Sequence, residues 1–309
     1  MEIKPKQIKW DQIPEGWMVQ PKYDGECNKL IIKDGQARLE RFGENGKKGK
    51  DKTEFYPEII DYVNDGLDDG SKNGKKWDDM VLVGEVCVLL NEFVASFPHI
   101  QLRMNTLSKV KQKLAMKDRR VSFMAFDIEE YKGENLDKKT YGERYKILKK
   151  LRLDCIDVPA VVDAVENLDN MMGYQQWKND HPNGTLKDFV KEYEMEGLVI
   201  KNPNSPTEQV KLKNWDEDDF KVIGTETTEA GEARGWLISK LRLKDVKGTH
   251  VKKGQEFDCK YINYPQTEKA KEEVIGKTAI IKYTKMRGRD REYLAPRHPS
   301  LVEILEFEK

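Results

Sequence analysis

Several groups of side chains in this sequence are able to do chemistry on a phosphate. Gln20-Pro21-Lys22-Tyr23-Asp24-Gly25 sets a lysine directly before a tight, carboxylate-bearing turn. An amine attacks phosphorus only once it has lost its proton, so a nucleophilic Lys22 requires burial, nearby cations or a bound metal to lower its pKa. Taken alone, the same residues read as an Asp-Gly hairpin beside a solvated lysine. Glu85 stands in the middle of the apolar run Met80-Val81-Leu82-Val83-Gly84-Glu85-Val86-Cys87-Val88-Leu89. A carboxylate on such a buried strand is costly unless it is paired, hydrogen-bonded or on a metal, which marks a site. Glu196 opens a second apolar segment, and Lys211 and Lys213 alternate along the next so that they share one face. Two cations there repel unless an anion lies between them; the alternative is an exposed edge strand decorated against aggregation. Lys282, Lys285, Arg287 and Arg289 form a basic stretch interleaved with Tyr283. That pattern suits contact with a phosphate backbone, and a solvated hairpin tip is its alternative.

These residues need strands and helices to hold them. Trp17-Met18-Val19-Gln20 and Lys29-Leu30-Ile31-Ile32 are β-prone runs on either side of Lys22. Lys33-Asp34-Gly35-Gln36 is a two-residue hairpin signal. Lys47, Lys48, Lys50 and Lys52 occupy a Gly/Lys-rich loop and read as solvated, with phosphate contact the alternative. Helical spacing covers residues 54–63, with Pro57 in the first turn, and 105–117, with Leu107, Val110 and Leu114 on one apolar face. It also covers 140–151, with Tyr141, Tyr145 and Leu148 inward and Arg144 exposed. Residues 121–128 form another buried strand, and 161–195 read as mostly helical around His181-Pro182-Asn183-Gly184. Beyond Asp216-Glu217-Asp218-Asp219 the texture changes to short alternating strands that suit a small β-barrel, of which the OB fold is the commonest polynucleotide binder. A hinge is expected near residues 214–222, dividing the chain into 1–218 and 219–309.

A chain of 309 residues is long enough to bury a substantial core in two unequal domains. Lys plus Arg equals Asp plus Glu, 55 of each, which excludes a chain-wide electrostatic nucleic-acid binder but leaves room for local basic patches. Cys27, Cys87, Cys155 and Cys259 are scattered with no C-x-x-C pair, against a zinc site or a disulfide framework. The expectation is a reduced, cytoplasmic protein. Met1-Glu2-Ile3-Lys4-Pro5-Lys6 has no apolar signal region and no run is long enough to span a bilayer, so no membrane contact is expected.

The ordered set resembles the covalent nucleotidyltransferase superfamily, and within it the small ATP-dependent DNA ligases of bacteriophage or viral type. Lys22-Tyr23-Asp24-Gly25 resembles motif I, Arg41-Phe42-Gly43 the arginine motif that follows, with Thr53, Phe55, Pro57 and Glu58 downstream, and Gly84-Glu85-Val86 the next acidic motif. Phe97, Gln101 and Arg103 fit the Phe-x-x-x-Gln-x-Arg element of DNA ligases. Phe126-Asp127 resembles motif III, Glu143-Arg144 motif IIIa, Glu196-Gly197-Leu198-Val199 motif IV and Lys211-Leu212-Lys213 motif V, while Arg297-His298-Pro299-Ser300 is similar to the terminal segment of small phage ligases. The sequence departs from the pattern at Cys27, where the family has arginine, and at Glu306-Phe307-Glu308-Lys309, which keeps the motif VI lysine but lacks its arginine.

The resemblance implies an α+β fold: a nucleotidyltransferase domain, the ATP-grasp-like adenylation domain of ligases, with antiparallel sheets and flanking helices, followed by a small OB-fold barrel. It implies a monomeric enzyme of the kind that phages and viruses encode, acting in the cytoplasm, that uses ATP and Mg²⁺ (or Mn²⁺) to seal nicked duplex DNA. Lys22 would carry AMP, with Asp24 in its motif, and Lys211 and Lys213 would stabilise charge on the α-phosphate. Glu85 and Glu196 would hold the metal or the ribose, Phe126 would stack on adenine and Gln20 would read its edge. Arg41 would meet ribose or a nick phosphate, and Lys282, Lys285, Arg287 and Arg289 the nucleic acid. An RNA ligase or another polynucleotide nucleotidyltransferase shares much of the pattern, and a nucleic-acid-binding protein with a decayed site is the non-enzymatic alternative.

Overall fold

Alternating apolar and polar residues lay more of the chain out as strands than as helices, and a computed structural model describes residues 5–42, 49–65, 77–91, 94–104, 108–118, 120–151, 161–163, 166–167, 172–230, 236–244, 256–260, 272–287 and 293–305. It separates into two compact units, Met1–Asn214 and Trp215–Lys309.

In the first unit the elements run β1 (Lys6–Gln7), β2 (Met18–Pro21), β3 (Glu26–Lys33), β4 (Gln36–Arg41), α1 (Pro57–Asp65), β5 (Met80–Cys87), α2 (Phe97–Met104) and α3 (Lys109–Asp118). There follow β6 (Ser122–Tyr131), β7 (Glu134–Asn135), α4 (Tyr141–Lys150), β8 (Val161–Asp163), β9 (Glu166–Asn167), α5 (Met172–Asp180), α6 (Leu186–Glu192), β10 (Gly197–Lys201) and β11 (Gln209–Lys213). One sheet has the order β1-β11-β10-β2-β9; the other has β4-β3-β5-β6-β7, with β8 beside β6. Apart from β1 on β11 and β8 on β6, the pairings are antiparallel.

Each sheet buries one face. Leu198, Ile200 and Leu212 pack with Trp177 of α5 and Phe189 of α6, whereas Leu30, Leu82 and Phe123 pack with Ile59 of α1 and Leu148 of α4. Removing such side chains from water stabilises the unit by about 1.5–3 kcal/mol each. The period of two turns the intervening residues to the opposite faces, which line a cleft. Helix α4 starts at a capping box in which Thr140 accepts from the Glu143 N–H and Glu143 accepts from the Thr140 N–H.

In the second unit β12 (Asp216–Ala230), β13 (Trp236–Lys244), β14 (Glu256–Lys260), β15 (Thr278–Arg287) and β16 (Tyr293–Leu305) close into a barrel in the order β12-β13-β14-β16-β15. The acidic run Asp216–Asp219 lies within β12, paired with β15, rather than in a linker. Phe220, Val222, Ile281 and Tyr283 fill the barrel core.

Four expectations are corrected. Arg144 is buried rather than exposed, because Asp127 accepts two hydrogen bonds from its guanidinium at 2.7 and 2.9 Å. Lys52 is also buried, donating to the Met104 carbonyl at 2.8 Å and lying 3.1 Å from a Glu26 carboxylate oxygen. On α3, Val110 and Leu114 are 70% and 60% exposed, while Gln112 turns inward to donate to the Glu54 carbonyl. Between 161 and 195 the described residues begin with two short strands before the helices. Lys47, Lys48 and Leu107 lie outside the described residues.

Candidate active site

Lys22 stands where the chain passes from one sheet to the other. Its backbone N–H donates to the Gly197 carbonyl at 3.0 Å, continuing the β2–β10 ladder one residue beyond Pro21. Only Tyr23, Asp24 and Gly25 separate it from Glu26, where β3 begins in the second sheet. Gly25 does not have the left-handed backbone of an Asp-Gly hairpin; Gly35, in the nearby hairpin, does, at φ 75°. What Gly25 supplies is close approach: a Cβ there would lie 2.3 Å from the Val86 carbonyl oxygen. The Gly25 N–H donates to Glu85 Oε1 at 3.1 Å, so the crossing is pinned to the carboxylate on β5.

The crossing gathers charge. Lys22 Nζ lies 2.7 Å from both oxygens of Glu196, and Lys213 Nζ is 3.9 Å from Glu196 Oε1. Burial pushes the Glu85 carboxyl up to about 8, against the pull of Lys22 and with the help of Glu196 and Asp24. At Lys22 burial favours loss of the proton, but the Glu196 ion pair and hydrogen bond, with Glu85 and Asp24 behind them, outweigh it and hold the amine above its ordinary range. The lowered Lys22 pKa expected from the sequence is therefore not what these side chains alone produce. Glu196 is shared by the Lys22 and Lys213 ammonium groups, while Glu85, raised to about 8 by burial, is mostly uncharged near neutral pH and gains its charge most readily when a cation joins it. A Mg²⁺ site of one or two carboxylates completed by phosphate oxygens fits this donor set. No group of three or more metal-ligating side chains occurs among the described residues.

A cleft of about 630 Å³ extends from Lys22 between the two sheets, within the range of small-molecule sites. Gln20, Val199, Lys201 and Lys211 line it from one sheet, and Cys27, Val83, Glu85 and Phe126 from the other. The Gln20 side-chain oxygen is buried without a hydrogen-bond partner, which leaves an acceptor for a donor of a bound molecule. Phe126 sits in a β-bulge: Val83 pairs with Asp127 and Gly84 with Ala125, so Phe126 is the extra residue between them. Bulges re-aim side chains beside sites, and here the ring is turned to the cleft.

The structure thus brings Gln20, Lys22, Asp24, Glu85, Phe126, Glu196, Lys211 and Lys213 together. β11 is not an exposed edge, because β1 pairs along it. Arg41 ends β4 beside the cleft-lining Phe42, half exposed, with Nε 3.7 Å from Glu26. In the barrel Lys282 lies over the Trp215 ring at 5.3 Å, and Lys285 and Arg287 occupy β15. Arg289 and residues 306–309 fall outside the described residues. Sequence reasoning missed Lys201, a buried lysine ending an apolar strand. The signal was the same anomaly that singled out Glu85.

No helix among the described residues is long and apolar enough to cross a membrane. The family described as ATP dependent DNA ligase domain matches residues 5–216. The bifunctional non-homologous end joining protein LigD of Bacillus subtilis (strain 168) is 27% identical over 202 residues, which are 64% of this chain and 30% of that protein. The chain therefore spans about a third of the length of this curated relative. Among solved structures, Pmar-Lig_Pre is similar at TM-score 0.60 and 18% identity, over 94% of this chain and 64% of that one. A Lig E DNA ligase structure is similar at TM-score 0.58 and 16% identity, over 98% of both chains. The likeness to these two structures is one of fold, and the match over residues 5–216 carries the conclusion that this chain belongs to the family of the ATP dependent DNA ligase domain.

Proposed function

We propose that the chain is an ATP-dependent DNA ligase that seals 5′-phosphate/3′-hydroxyl nicks in duplex DNA. The observation that carries this reading is Lys22 held against Glu196 and beside Glu85 at the head of a nucleotide-sized cleft.

Glu85 and Glu196 would hold a divalent cation, whose charge would offset the carboxylates that keep Lys22 protonated and so let the amine lose its proton. The free amine attacks the α-phosphorus of ATP; an N–P bond forms, the bond from the α-phosphorus to the bridging oxygen breaks, and pyrophosphate leaves. Lys211 and Lys213, on the same face of β11, stabilise the charge in transit. Phe126 stacks on the adenine and Gln20 Oε1 accepts from its amino group. An oxygen of the 5′-phosphate at a nick then takes AMP from Lys22, and the 3′-hydroxyl attacks that 5′-phosphorus, displacing AMP and closing the strand.

The units Met1–Asn214 and Trp215–Lys309 serve as adenylation and DNA-binding domains in this reading, with the closed barrel an OB fold. Arg41 meets the ribose or a nick phosphate, and Lys282, Lys285, Arg287 and Arg289 meet nucleic-acid phosphates. The protein acts as a monomer in the cytoplasm; four scattered cysteines with no C-x-x-C pair suit a reducing location.

The test is incubation with α-labelled ATP or GTP and Mg²⁺, followed by denaturation. Label from ATP that is lost in Lys22→Ala supports the reading; label that survives the substitution overturns it. Sealing of nicked DNA in preference to nicked RNA fixes the polymer, and the opposite preference makes the protein an RNA ligase.

A further inference from the structure

Lys201 has no part in the chemistry above, yet it occupies the floor of the same cleft. It ends β10 on the face of Gly197 and Val199, is 5% exposed, and lies opposite Met18 of β2. A lysine at such a place loses most of its hydration and must be repaid by what surrounds it. Its Nζ donates to the Phe126 main-chain carbonyl at 3.1 Å and lies 4.8 Å over the Phe126 ring and 4.3 Å over the Tyr141 ring. The Tyr141 hydroxyl donates to the same carbonyl at 3.0 Å.

That carbonyl belongs to the extra residue of the bulge, which has no cross-strand partner in the β5–β6 register. A bulged residue lacks the ladder that fixes its neighbours, so its backbone and ring direction must be set by other groups. Lys201 comes from the opposite sheet and Tyr141 from α4; together they hold from two sides the residue that the ladder leaves loose. Ion pairing is a secondary role for Lys201, because Arg144 already takes both Asp127 oxygens while Lys201 Nζ is 3.8 Å from the nearer one.

We propose that Lys201, with Tyr141, is a positioning residue for nucleotide binding: the two donors clamp the bulge carbonyl so that the Phe126 ring is held as the platform for the base. The inference rests on the ATP-binding reading of the cleft. It goes beyond it in assigning base affinity to a lysine that touches neither the phosphates nor the reacting atoms.

The experiment is self-adenylylation of the full chain at varied ATP, with inorganic tripolyphosphate as a base-free competitor. Lys201→Met keeps length and apolar contact but removes the donor. It is expected to raise the ATP concentration for half-maximal rate by roughly three- to tenfold, the worth of one hydrogen bond, with the maximal rate within about twofold. Inhibition by tripolyphosphate stays unchanged, and the effect largely disappears in a Phe126→Ala background. A loss of maximal rate without a change in half-saturation overturns the proposal. So does an equal weakening of tripolyphosphate, or full additivity with Phe126→Ala. If Lys201→Met does not fold, Tyr141→Phe removes one hydroxyl from the same carbonyl and decides by the same measures. A wild-type chain that takes no label from ATP overturns the ligase reading and this inference with it, whereas a labelled wild type with an unaltered variant overturns this inference alone.

Discussion

The Lys22 ammonium lies 2.7 Å from each oxygen of the Glu196 carboxylate, although 174 residues separate the two in sequence. Adjacent strands explain the meeting: Lys22 follows β2 and Glu196 precedes β10, and Pro21 pairs with Leu198 in an antiparallel register. The pair therefore works as a unit, with the acid fixing the amine until the local charge changes. Substitutions on its two sides should differ. Lys22→Arg keeps a cation for Glu196 and should keep the fold, but it should take no label from ATP, since a guanidinium stays protonated. Glu196→Gln should lower the rate of labelling on the order of 10²–10³-fold, as expected for loss of one electrostatic partner in a preorganised site. Single-turnover labelling measures both, and a labelled Lys22→Arg sinks the assignment.

At Gly25 the prediction is steric. A methyl group would sit 2.3 Å from the Val86 carbonyl oxygen and 2.9 Å from Glu85 Cγ, so the crossing must shift. Gly25→Ala should cost about 1–3 kcal/mol in urea unfolding and lower adenylylation more than that loss accounts for, because the displaced segment carries Lys22. Unchanged labelling in a folded Gly25→Ala protein contradicts the crossing drawn here.

Arg103 belongs to the element that suggested a DNA ligase, yet its side chain is fully buried. It pairs with Glu58 at 2.8 and 2.9 Å, tying α2 to α1. Its role is therefore in the fold. Arg103→Met should destabilise by about 3–5 kcal/mol because it leaves Glu58 buried without this cation. The double change Arg103→Met with Glu58→Leu should recover much of the loss. Denaturant unfolding of the single and double variants tests the pair, and a double variant no better than the single removes the argument.

Much of this was legible in the sequence where one residue type carried the signal. Glu85 in an apolar strand and Lys211 with Lys213 on alternating positions could be placed from periodicity alone, as could the Asp34-Gly35 hairpin, whose left-handed φ values of 50° and 75° match its residues. Side-chain partners across the fold were not legible. Helical spacing put Arg144 outward because nothing local indicates that Asp127, 17 residues earlier, would accept its hydrogen bonds. Spacing likewise gave α3 an apolar inward face, whereas Gln112 takes the buried position by capturing a carbonyl 58 residues away. The bulge at Phe126 leaves no local mark either, since it is a register difference between two strands.

Gln20 gives a test of base recognition. Its orphaned oxygen is an acceptor suited to the amino group of adenine, whereas the carbonyl that guanine presents at the same place requires the amide to turn over and offer its NH₂. Gln20→Leu should weaken ATP use roughly three- to tenfold and narrow the preference for ATP over GTP, read from labelling with each nucleotide. An unchanged ratio places the base elsewhere in the cleft.

Lys201 yields a pH dependence whose sign separates two accounts of its surroundings. Burial is the main influence and, with Arg144 adding to it against the pull of Asp127, brings the amine down from 10.5 to about 8. Between those values the unfolded chain holds a proton that the folded chain has lost. Stability from this group must therefore rise with pH across that window and stay flat below it, where both states are protonated. Subtracting the unfolding free energy of Lys201→Met isolates the effect from other titrating groups. The difference, wild type minus variant, should increase by on the order of 2–3 kcal/mol from pH 7.5 to 10.5. Had Asp127 been the controlling neighbour, the amine would be raised instead and stability would fall as pH climbs through its pKa. A falling difference would thus assign Lys201 to an ion pair with Asp127. A rising one assigns it to the desolvated floor of the cleft, where a neutral amine still donates to the Phe126 carbonyl.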